Sequence, residues 1–292
     1  MLLGSMFSPF STRFSLESKI DIPSQSYPIP CILGGMTKPC IVHRLGVIEY
    51  KLAWKLQDQL AAEIAAGRQP ATLLLLQHPH VYTFGRRGRS ENLLWQEAEL
   101  ARRRVEVLWV DRGGDVTYHG PGQLVGYPLI PLGHAEATQP GGADSSRLPK
   151  ADYVGYVRRL ERVLVTALAR LRVVSRQVEG LTGVWVEPHG ASPRLSADSG
   201  SHPAKIAAIG VKVDARGVSR HGFALNVNPD MSYWQGIVGC GLVGYPITCL
   251  ADLLSPPPSM EQVEAVVIEA FGRIFEFEMV EQTLTPSPTS VH

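Results

Sequence analysis

Cysteine is scarce in this sequence, and the few cysteines are not grouped. Four occur among 292 residues, at positions 31, 40, 240 and 249, with no CxxC pair and no zinc-like cluster with histidine. No metal site is therefore expected. Sparse cysteine fits a reducing compartment and leaves room for a reactive thiol.

Long apolar runs and a net charge of either sign are also missing. The longest aliphatic stretch, Ala71–Leu76, is far shorter than the ~20 residues of a membrane-spanning helix. Lysine plus arginine (28) and aspartate plus glutamate (27) cancel to +1, so no overall field draws the protein to nucleic acid or to a membrane. An acidic partner would have to meet a local basic patch, and the candidates are Arg86, Arg87, Arg89, Arg102, Arg103 and Arg104.

Residues 1–40 differ in composition from the rest of the chain. They are rich in serine and contain only two acidic residues, without an apolar core of signal-peptide length. We expect a disordered extension and a cytoplasmic protein. An organelle transit peptide, which implies a plastid or mitochondrial location, is the alternative. Residues 281–292 are predicted to be a flexible tail.

Apolar periodicity predicts one catalytic domain over residues 41–280. Helices are expected at 52–67, at 152–171 and after Ser259, where Gln262 completes a capping box. The predicted strands are 72–77, 105–110, 123–132, 172–178, 183–187, 205–213 and 222–228. Strand pairs without regular intervening helices argue against a doubly wound parallel sheet. We predict an α/β (α+β) fold with a mixed sheet flanked by helices, and surface loops at 134–150 and 188–204.

The segment RGGDVTYHGPGQ at 112–123 has an unusual composition, with four glycines, an arginine and a histidine in twelve residues. Its glycines allow a positive φ and close approach of the backbone to a ligand, and they expose N–H groups that can hold an oxyanion or a carbonyl. A tight turn with a solvated arginine would explain one Gly-Gly pair. The whole string instead predicts a ligand-binding loop.

Two further segments contain candidate reactive groups. Cys240 lies between two glycines, which give its thiol little steric cover and bring the N–H groups of the turn close to it. Such groups favour a thiolate and stabilise a tetrahedral intermediate. Lys205 begins a strand of small residues that leave space beside a ligand channel. On the residues alone, a lysine that reaches solvent from a strand end is the simpler interpretation.

Together these segments resemble the lipoyl(octanoyl) transferase family. The matching strings are RGGDVTYHGPGQ, KIAAIGVKV, HGFALNVNPD and GCGL in this order, with HPHVYTFGRRG and YPLI as further matches. The resemblance covers residues 41–275 and is specific, since four ordered motifs rarely coincide by chance. It does not extend to the first 40 residues or to the two long loops.

This resemblance implies an α/β fold shared with biotin protein ligases and lipoate ligases and related to class II aminoacyl-tRNA synthetase cores. The implied catalytic residues are Cys240, which would form a thioester, and Lys205. The implied acyl-binding residues are Arg112, Gly113, Gly114, Asp115, Val116, Thr117, Tyr118, His119, Ala208, Ile209, Gly210, Gly222, Phe223 and Ala224.

The implied reaction moves an octanoyl or lipoyl group from acyl carrier protein to a lysine of a lipoyl domain. The acceptors would be 2-oxoacid dehydrogenase complexes and the glycine-cleavage carrier protein, and the step would be the first of endogenous protein lipoylation. Thioester exchange is nearly isoenergetic and amide formation runs downhill, so no ATP or other cofactor is expected. Lys205 either favours the thiolate as an ammonium or accepts its proton as an amine. We expect a monomer.

Two alternatives stay open on the sequence. An ATP-dependent lipoate or biotin protein ligase of the same fold would form an acyl-adenylate and give Cys240 no role. A non-catalytic module that binds a lipoylated partner would give neither Cys240 nor Lys205 a role. A papain-like thiol hydrolase fails on residue order, because the cysteine would follow both candidate histidines, His119 and His221.

Overall fold

The structure is a computed structural model, and it describes residues 38–132, 152–187, 202–242 and 244–283. The predicted loop at 134–150, residues 188–201 of the second predicted loop, and most of both predicted terminal segments lie outside these ranges. The strands within them are β1 Lys38–Val47, β2 Ala71–Gln77, β3 Val81–Phe84, β4 Glu106–Trp109, β5 Val116–His119, β6 Gln123–Leu129, β7 Arg176–Val178, β8 Leu181–Val186, β9 Ala204–Val213, β10 Ser219–Asn226 and β11 Phe277–Glu281. The helices are α1 Tyr50–Ala65, α2 Glu97–Arg102, α3 Tyr153–Arg170, α4 Leu250–Leu253 and α5 Met260–Phe275.

The strands form two sheets, both of mixed direction. The large sheet has the order β11-β1-β2-β6-β10-β9-β8-β7, in which β1 runs parallel to β2 and β11 and the other pairs are antiparallel. The small sheet has the order β4-β3-β5, with β3 parallel to β4 and antiparallel to β5. The predicted mixed α/β fold is confirmed.

The three predicted helices form where the apolar periodicity places them. Helix α5 begins at the predicted capping box, in which the Ser259 hydroxyl accepts from the N–H of Gln262 and the Gln262 side chain accepts from the N–H of Ser259. Helices α3 and α5 cover one face of the large sheet, and Leu164 and Phe271 are fully buried in that core. None of the helices in the described part of the chain is long and apolar enough to cross a bilayer.

Several strands were not recognised as strands from the sequence. They are β1, β3, β5 and β11, and β3 and β5 are only four residues long. A four-residue run such as Val116–His119 gives too few positions for a periodicity to be recognised. The parallel edge strand β11 is added directly after α5, where Glu276 turns the chain with a φ of 59°.

On its second face, the large sheet is covered by α1 and lies against the segments that connect it to the small sheet. Buried side chains of α1 contact β10, since Gln57 accepts a hydrogen bond from the backbone N–H of His221. Strands β6 and β10 approach each other closely at Gly222. A Cβ on this residue would lie 2.1 Å from the Gly126 carbonyl oxygen. Glycine is therefore required at position 222 for the two strands to approach each other.

We predict that Gly222→Ala destabilises the protein by roughly 1–3 kcal/mol or more, because the methyl group overlaps backbone that cannot move aside. Gly67→Ala is the matched control. Its Cβ would meet nothing within 4 Å. The only expected cost is that of placing a side chain on a residue with a φ of +70°, about 1–2 kcal/mol. Urea unfolding midpoints measure both, and equal losses of stability would contradict the close approach at Gly222.

Candidate active site

A cavity of about 780 Å³ lies beside β9 and β10, under the loop that precedes β5 and next to the turn that contains Cys240. It brings most of the predicted site residues together. Those that line it are Arg112, Gly113, Gly114, Asp115, Thr117, His119, Lys205, Ala208, Ile209, Gly210, Gly222, Phe223, Ala224 and Cys240.

Two predicted site residues lie elsewhere. Val116 and Tyr118 are fully buried in the apolar core of the small sheet, together with Tyr82 and Phe84. The reason is the alternation of side chains along β5, which directs Thr117 and its alternate neighbours to the opposite side. The assignment of Val116 and Tyr118 as acyl-contacting residues is therefore corrected. Their side chains pack into the core of the small sheet, on the side of β5 that faces away from the cavity.

The turn at Cys240 has an unusual backbone. Cys240 adopts φ 56° and ψ 15°, the left-handed region that costs a non-glycine residue about 1–2 kcal/mol. A Cβ at Gly239 would approach Ile247 Cδ1 to 3.1 Å and Trp234 to 3.2 Å, and Gly241 has a φ of +65° with Asp115 Oδ2 2.9 Å from its hypothetical Cβ. The flanking glycines therefore allow a tight turn that presents the half-buried thiol to the cavity.

The hydrogen bonds of this turn differ from the sequence expectation in one respect. The backbone N–H of Gly241 donates to the Val238 carbonyl at 3.0 Å, and that of Leu242 donates to the Gly239 carbonyl at 3.1 Å. These two donors close the turn, so they are not free to hold an oxyanion next to the thiol.

Lys205 is held next to the segment that follows this turn. Its backbone N–H donates to Pro246 O at 2.8 Å, and its carbonyl accepts from Thr248 N at 3.0 Å. Its ammonium nitrogen lies 4.6 Å from the ring centroid of Trp185, a distance typical of a cation–π contact. The lysine is only 6% exposed, so the expectation that it simply reaches solvent is wrong.

Small residues form the floor of the cavity between Lys205 and the far end of β9. Ala208 is paired with Ala224, and Gly210 with Gly222. Because these four residues carry a methyl group or no side chain, they leave a shallow channel along the sheet. A longer side chain at Ala208 or Ala224 would narrow it, whereas a Cβ at Gly210 would meet the Gly113 carbonyl oxygen at 2.9 Å and one at Gly222 the Gly126 carbonyl oxygen at 2.1 Å.

The loop over the channel is fixed by the buried side chain of Arg112. Its guanidinium donates from Nε and Nη2 to Thr83 Oγ1 at 3.2 and 2.9 Å, from Nη2 to the Thr83 carbonyl at 2.5 Å, and from Nη1 to the Gly113 carbonyl at 2.9 Å. The Gly113 N–H in turn donates to Val211 O at 2.9 Å. This arginine is thus a structural cation that joins the loop, β3 and β9.

Asp115 fixes the same loop to the rim of the cavity. Its carboxylate accepts from the backbone N–H of Arg89 at 3.1 Å, from the side-chain amide of Asn92 at 2.5 Å and from the N–H of Val116 at 2.7 Å. Since the same carboxylate lies against Gly241, it connects the rim at 85–92 with the cysteine turn.

The comparison with protein families agrees with this geometry. The family described as "Lipoyl protein ligase A/B catalytic domain" matches residues 49–272, which includes every residue that lines the cavity. The chain belongs to this family. Within the lipoyl protein ligase A/B family it is an acyltransferase of the octanoyltransferase kind, as its relatives indicate.

These relatives are proteins named octanoyltransferase. One from Chloroflexus aurantiacus is 44% identical over 81% of this chain and 94% of its own length. One from Solibacter usitatus is 42% identical over 82% of this chain and 95% of its own length. One from Cytophaga hutchinsonii is 35% identical over 85% of this chain and 97% of its own length.

Solved structures of lipoate protein ligases show the same fold at low identity. A bipartite lipoate protein ligase from Thermoplasma acidophilum, studied with its E2 lipoyl domain, superposes with a TM-score of 0.58 at 16% identity and covers 86% of this chain and 88% of its own. A lipoate-protein ligase A bound with ATP gives 0.56 at 15% identity, with 86% and 90% covered. The predicted lipoate ligase-like architecture is confirmed.

In this lipoyl protein ligase A/B domain, burial lowers the pKa of the Arg112 guanidinium, and the ionisable side chains around it, Tyr50 before Cys240, oppose that shift. Arg112 thus places a buried positive charge at the cavity, with its donors used on Thr83 and Gly113.

Sequence reasoning placed His119 in the site but missed Tyr50, Tyr127 and His221 at the inner end of the cavity. Tyr50 and Tyr127 line it together with His119 and His221, and Tyr50 belongs to no motif, since it is the first residue of α1. Tyr127 lies in the YPLI string, which matched the family without a role. Only the folding of α1 across β10 places Tyr50 here, so no local sequence signal reveals it.

At the outer end, Arg87, Arg89 and Asn92 line the mouth. The loop that carries the two arginines is held by backbone bonds from Arg86 N to Arg112 O at 2.9 Å and from Arg87 N to Gly114 O at 3.1 Å. Part of the basic patch noted in the sequence therefore lies at the entrance. Among the described residues, no group of His, Cys, Asp and Glu side chains is arranged to hold a metal ion.

The remaining cysteines are poor nucleophiles. Burial raises the pKa of Cys40 and of Cys249 to about 12, and both are buried, whereas Cys240 faces the cavity. Cys31 lies outside the described residues.

We predict that iodoacetamide at pH 8 labels the native Cys31→Ser protein once, at Cys240. A thiol of pKa about 12 has roughly a thousand-fold less thiolate at that pH than an ordinary thiol of pKa ~8.5. Peptide mass mapping identifies the labelled site, and unfolded protein, which should label at all three remaining cysteines, is the control. Labelling of Cys40 or Cys249 at the rate of Cys240 would show that burial does not protect these two thiols.

Proposed function

We propose that the cavity is the active site of an octanoyltransferase in which Cys240 carries the acyl group between two protein partners. One observation supports this above the others. A half-buried cysteine in a left-handed turn opens onto the same cavity as a buried lysine and a floor of small residues.

In the first half-reaction the Cys240 thiolate attacks the carbonyl carbon of the octanoyl thioester on acyl carrier protein. The carbon–sulfur bond to the carrier then breaks, and the carrier leaves as a thiol with the proton that Cys240 gave up. Lys205 serves this transfer either as an ammonium that stabilises the thiolate or as an amine that relays the proton.

In the second half-reaction the neutral amine of a lipoyl-domain lysine attacks the octanoyl-Cys240 thioester. An amide bond forms, the thioester bond breaks, and the proton of the amine returns to the Cys240 sulfur, with Lys205 as the relay. Amide formation from a thioester is downhill. The two half-reactions share one site, so the kinetics are ping-pong.

The floor of the cavity supplies binding for the acyl tail. Burial of six methylenes contributes about 5 kcal/mol at ~0.8 kcal/mol each, before the cost of ordering the chain. Ala208, Gly210, Gly222 and Ala224 are the residues that leave space for this tail.

Arg87 and Arg89 are proposed to contact an acidic surface of the carrier protein. Both are exposed at the mouth of the cavity, and their loop is fixed by the backbone bonds to the 112–115 segment. Because the loop is rigid, it loses little entropy when its arginines pair with carboxylates. The positive charge of Arg87 and Arg89 would also raise the rate at which the enzyme associates with an acidic carrier protein. The acceptors are proposed to be lipoyl domains of 2-oxoacid dehydrogenase complexes and the glycine-cleavage carrier protein.

An ATP-dependent ligase shares this fold, as the ligase superpositions show. The position of Cys240 favours the transferase, because adenylate chemistry would leave the strained cysteine turn without a task. The two activities differ in their need for ATP, so one experiment separates them.

We predict that octanoyl-carrier protein alone adds one octanoyl mass to the enzyme. Hydroxylamine should remove the adduct, and Cys240→Ser should not form it. Intact-mass spectrometry measures both, with and without ATP. Octanoyl transfer that requires ATP and persists in Cys240→Ser would refute the thioester mechanism.

Lys205→Met should slow formation of this adduct by roughly 10²–10⁴-fold, because positioned proton transfer contributes about that much. Quenched-flow mass spectrometry gives the rate. Lys55→Met is the control, since Lys55 is exposed on α1 and does not line the cavity. Equal rates for Lys205→Met and Lys55→Met would remove Lys205 from the mechanism.

Charge reversal at the mouth tests the carrier contact. The double variant Arg87→Glu/Arg89→Glu should reduce kcat/KM for octanoyl-carrier protein by about ten-fold or more and leave that for octanoyl-N-acetylcysteamine unchanged, because the small thioester has no acidic surface. Arg162→Glu, on the exposed side of α3, is the control. A similar loss with both donors would mean that the arginines act on the chemistry and not on docking.

A further inference from the structure

The inner end of the cavity is polar, in contrast to its floor. Tyr50 and Tyr127 line it, and both are almost completely buried. Each phenol is bonded to a histidine: Tyr127 to His78 Nε2 at 2.7 Å and Tyr50 to His221 Nδ1 at 3.3 Å. We refer to Tyr50, His78, Tyr127 and His221 as the tyrosine–histidine wall.

The partners of His78 determine where its proton lies. Its Nδ1 is 2.8 Å from the Ile48 carbonyl oxygen, which can only accept, so Nδ1 carries the hydrogen. Burial lowers the pKa of His78 to about 4, so the ring is neutral and Nε2 is an acceptor. The Tyr127 hydroxyl must therefore donate to His78.

The same reasoning applies to His221. Its Nε2 is 2.7 Å from an oxygen of Asp111, whose carboxylate accepts, so Nε2 carries the hydrogen. Burial lowers the pKa of His221, against the opposing effect of Asp111. The neutral ring accepts at Nδ1, and the Tyr50 hydroxyl must donate to it. Arg220 and Lys212 pair with Asp111 from the other side and hold it ionised.

Both phenols have thus used their only hydrogen on a histidine behind them. The two phenols also lie within hydrogen-bonding reach of each other. Whichever oxygen accepts, the hydrogen stays within the wall and does not point into the cavity. Burial keeps both phenols protonated, since it raises the pKa of Tyr50 to about 12 and that of Tyr127 well above its usual range. Their oxygens therefore offer lone pairs, and no hydrogen, to whatever occupies the inner end of the cavity.

The wall lies at the opposite end of the channel from the reacting groups. Lys205 and Gly210 are five residues apart on β9, about 16 Å at the usual rise of a strand. Gly210 pairs with Gly222, which is next to His221 on β10, and the register of β10 with β6 places Tyr127 level with Gly222. An acyl chain that starts at Cys240 and follows the small residues therefore points at the two phenol oxygens.

We propose that the tyrosine–histidine wall is a second recognition subsite, which ends the acyl channel and accepts a hydrogen bond from a donor group on the distal carbons of the acyl chain. The subsite rests on the proposed function, because it assumes an acyl chain attached to Cys240. A terminal hydroxyl or thiol fits it. A longer alkyl chain does not, because its methyl group would press against buried oxygens without a hydrogen bond to offer.

Two acyl chains with the same number of heavy atoms test this. Nonanoyl and 8-hydroxyoctanoyl thioesters of N-acetylcysteamine differ only in a terminal methyl or hydroxyl group. Their rates of Cys240 acylation are measured by intact mass, with octanoyl as the reference. A wall that only blocks length would treat them alike or favour the more apolar chain. The proposed subsite favours 8-hydroxyoctanoyl over nonanoyl.

The variants Tyr50→Phe and Tyr127→Phe remove one acceptor each. In each, the rate ratio of 8-hydroxyoctanoyl to nonanoyl should fall by roughly ten-fold, the usual effect of an unpaired buried polar group. Tyr156→Phe is the matched control, since Tyr156 is a buried tyrosine packed with Phe275 on the opposite face of the sheet. Because the readout is a ratio within one protein, a general loss of stability or activity does not change it.

The outcomes separate the subsite from the proposed function. If octanoyl acylates Cys240 but wild type prefers nonanoyl to 8-hydroxyoctanoyl, or the ratio is unaltered in both tyrosine variants, the subsite is wrong and the transferase mechanism stands. If octanoyl fails to acylate Cys240, both are wrong. A ratio that falls in Tyr50→Phe and Tyr127→Phe, but not in Tyr156→Phe, supports the subsite.

Discussion

The site depends on one buried cation, the guanidinium of Arg112. It bonds to the side chain and carbonyl of Thr83 on the small sheet and to the carbonyl of Gly113 in its own loop. An arginine without a buried carboxylate partner is costly unless its donors are satisfied, and here neutral oxygens satisfy them. This holds the glycine-rich loop across β9 and creates the channel beneath it.

Much of this site could be predicted from the sequence because its chemistry lies in short contiguous motifs. A cysteine between glycines, a lysine at the start of a small-residue strand and a glycine-rich loop are local features, and the fold brings them to one cavity. The helices were predictable for a similar reason, since a stripe of apolar residues over 16 residues or more defines a buried face. The four-residue strands β3 and β5 give no such signal.

What the sequence did not reveal depends on long-range contacts. Tyr50 reaches the channel only because α1 crosses β10, and the direction of its hydroxyl follows from Asp111, which acts through His221. Val116 and Tyr118 were included in the site because they lie within the motif, but strand alternation turns them into the core. The backbone N–H groups of Gly241 and Leu242 donate to carbonyls within the turn itself. Spacing along the chain contains none of this information.

In the proposed mechanism, an acyl chain on Cys240 runs inward along Ala224 and Gly222 and stops at Tyr50 and Tyr127. A crystal structure of the octanoyl-enzyme tests it most directly. We expect continuous density from the Cys240 sulfur over these small residues, with the terminal carbon next to Tyr50 and Tyr127. Density that leaves the sulfur toward solvent, or enters a different part of the fold, would contradict it.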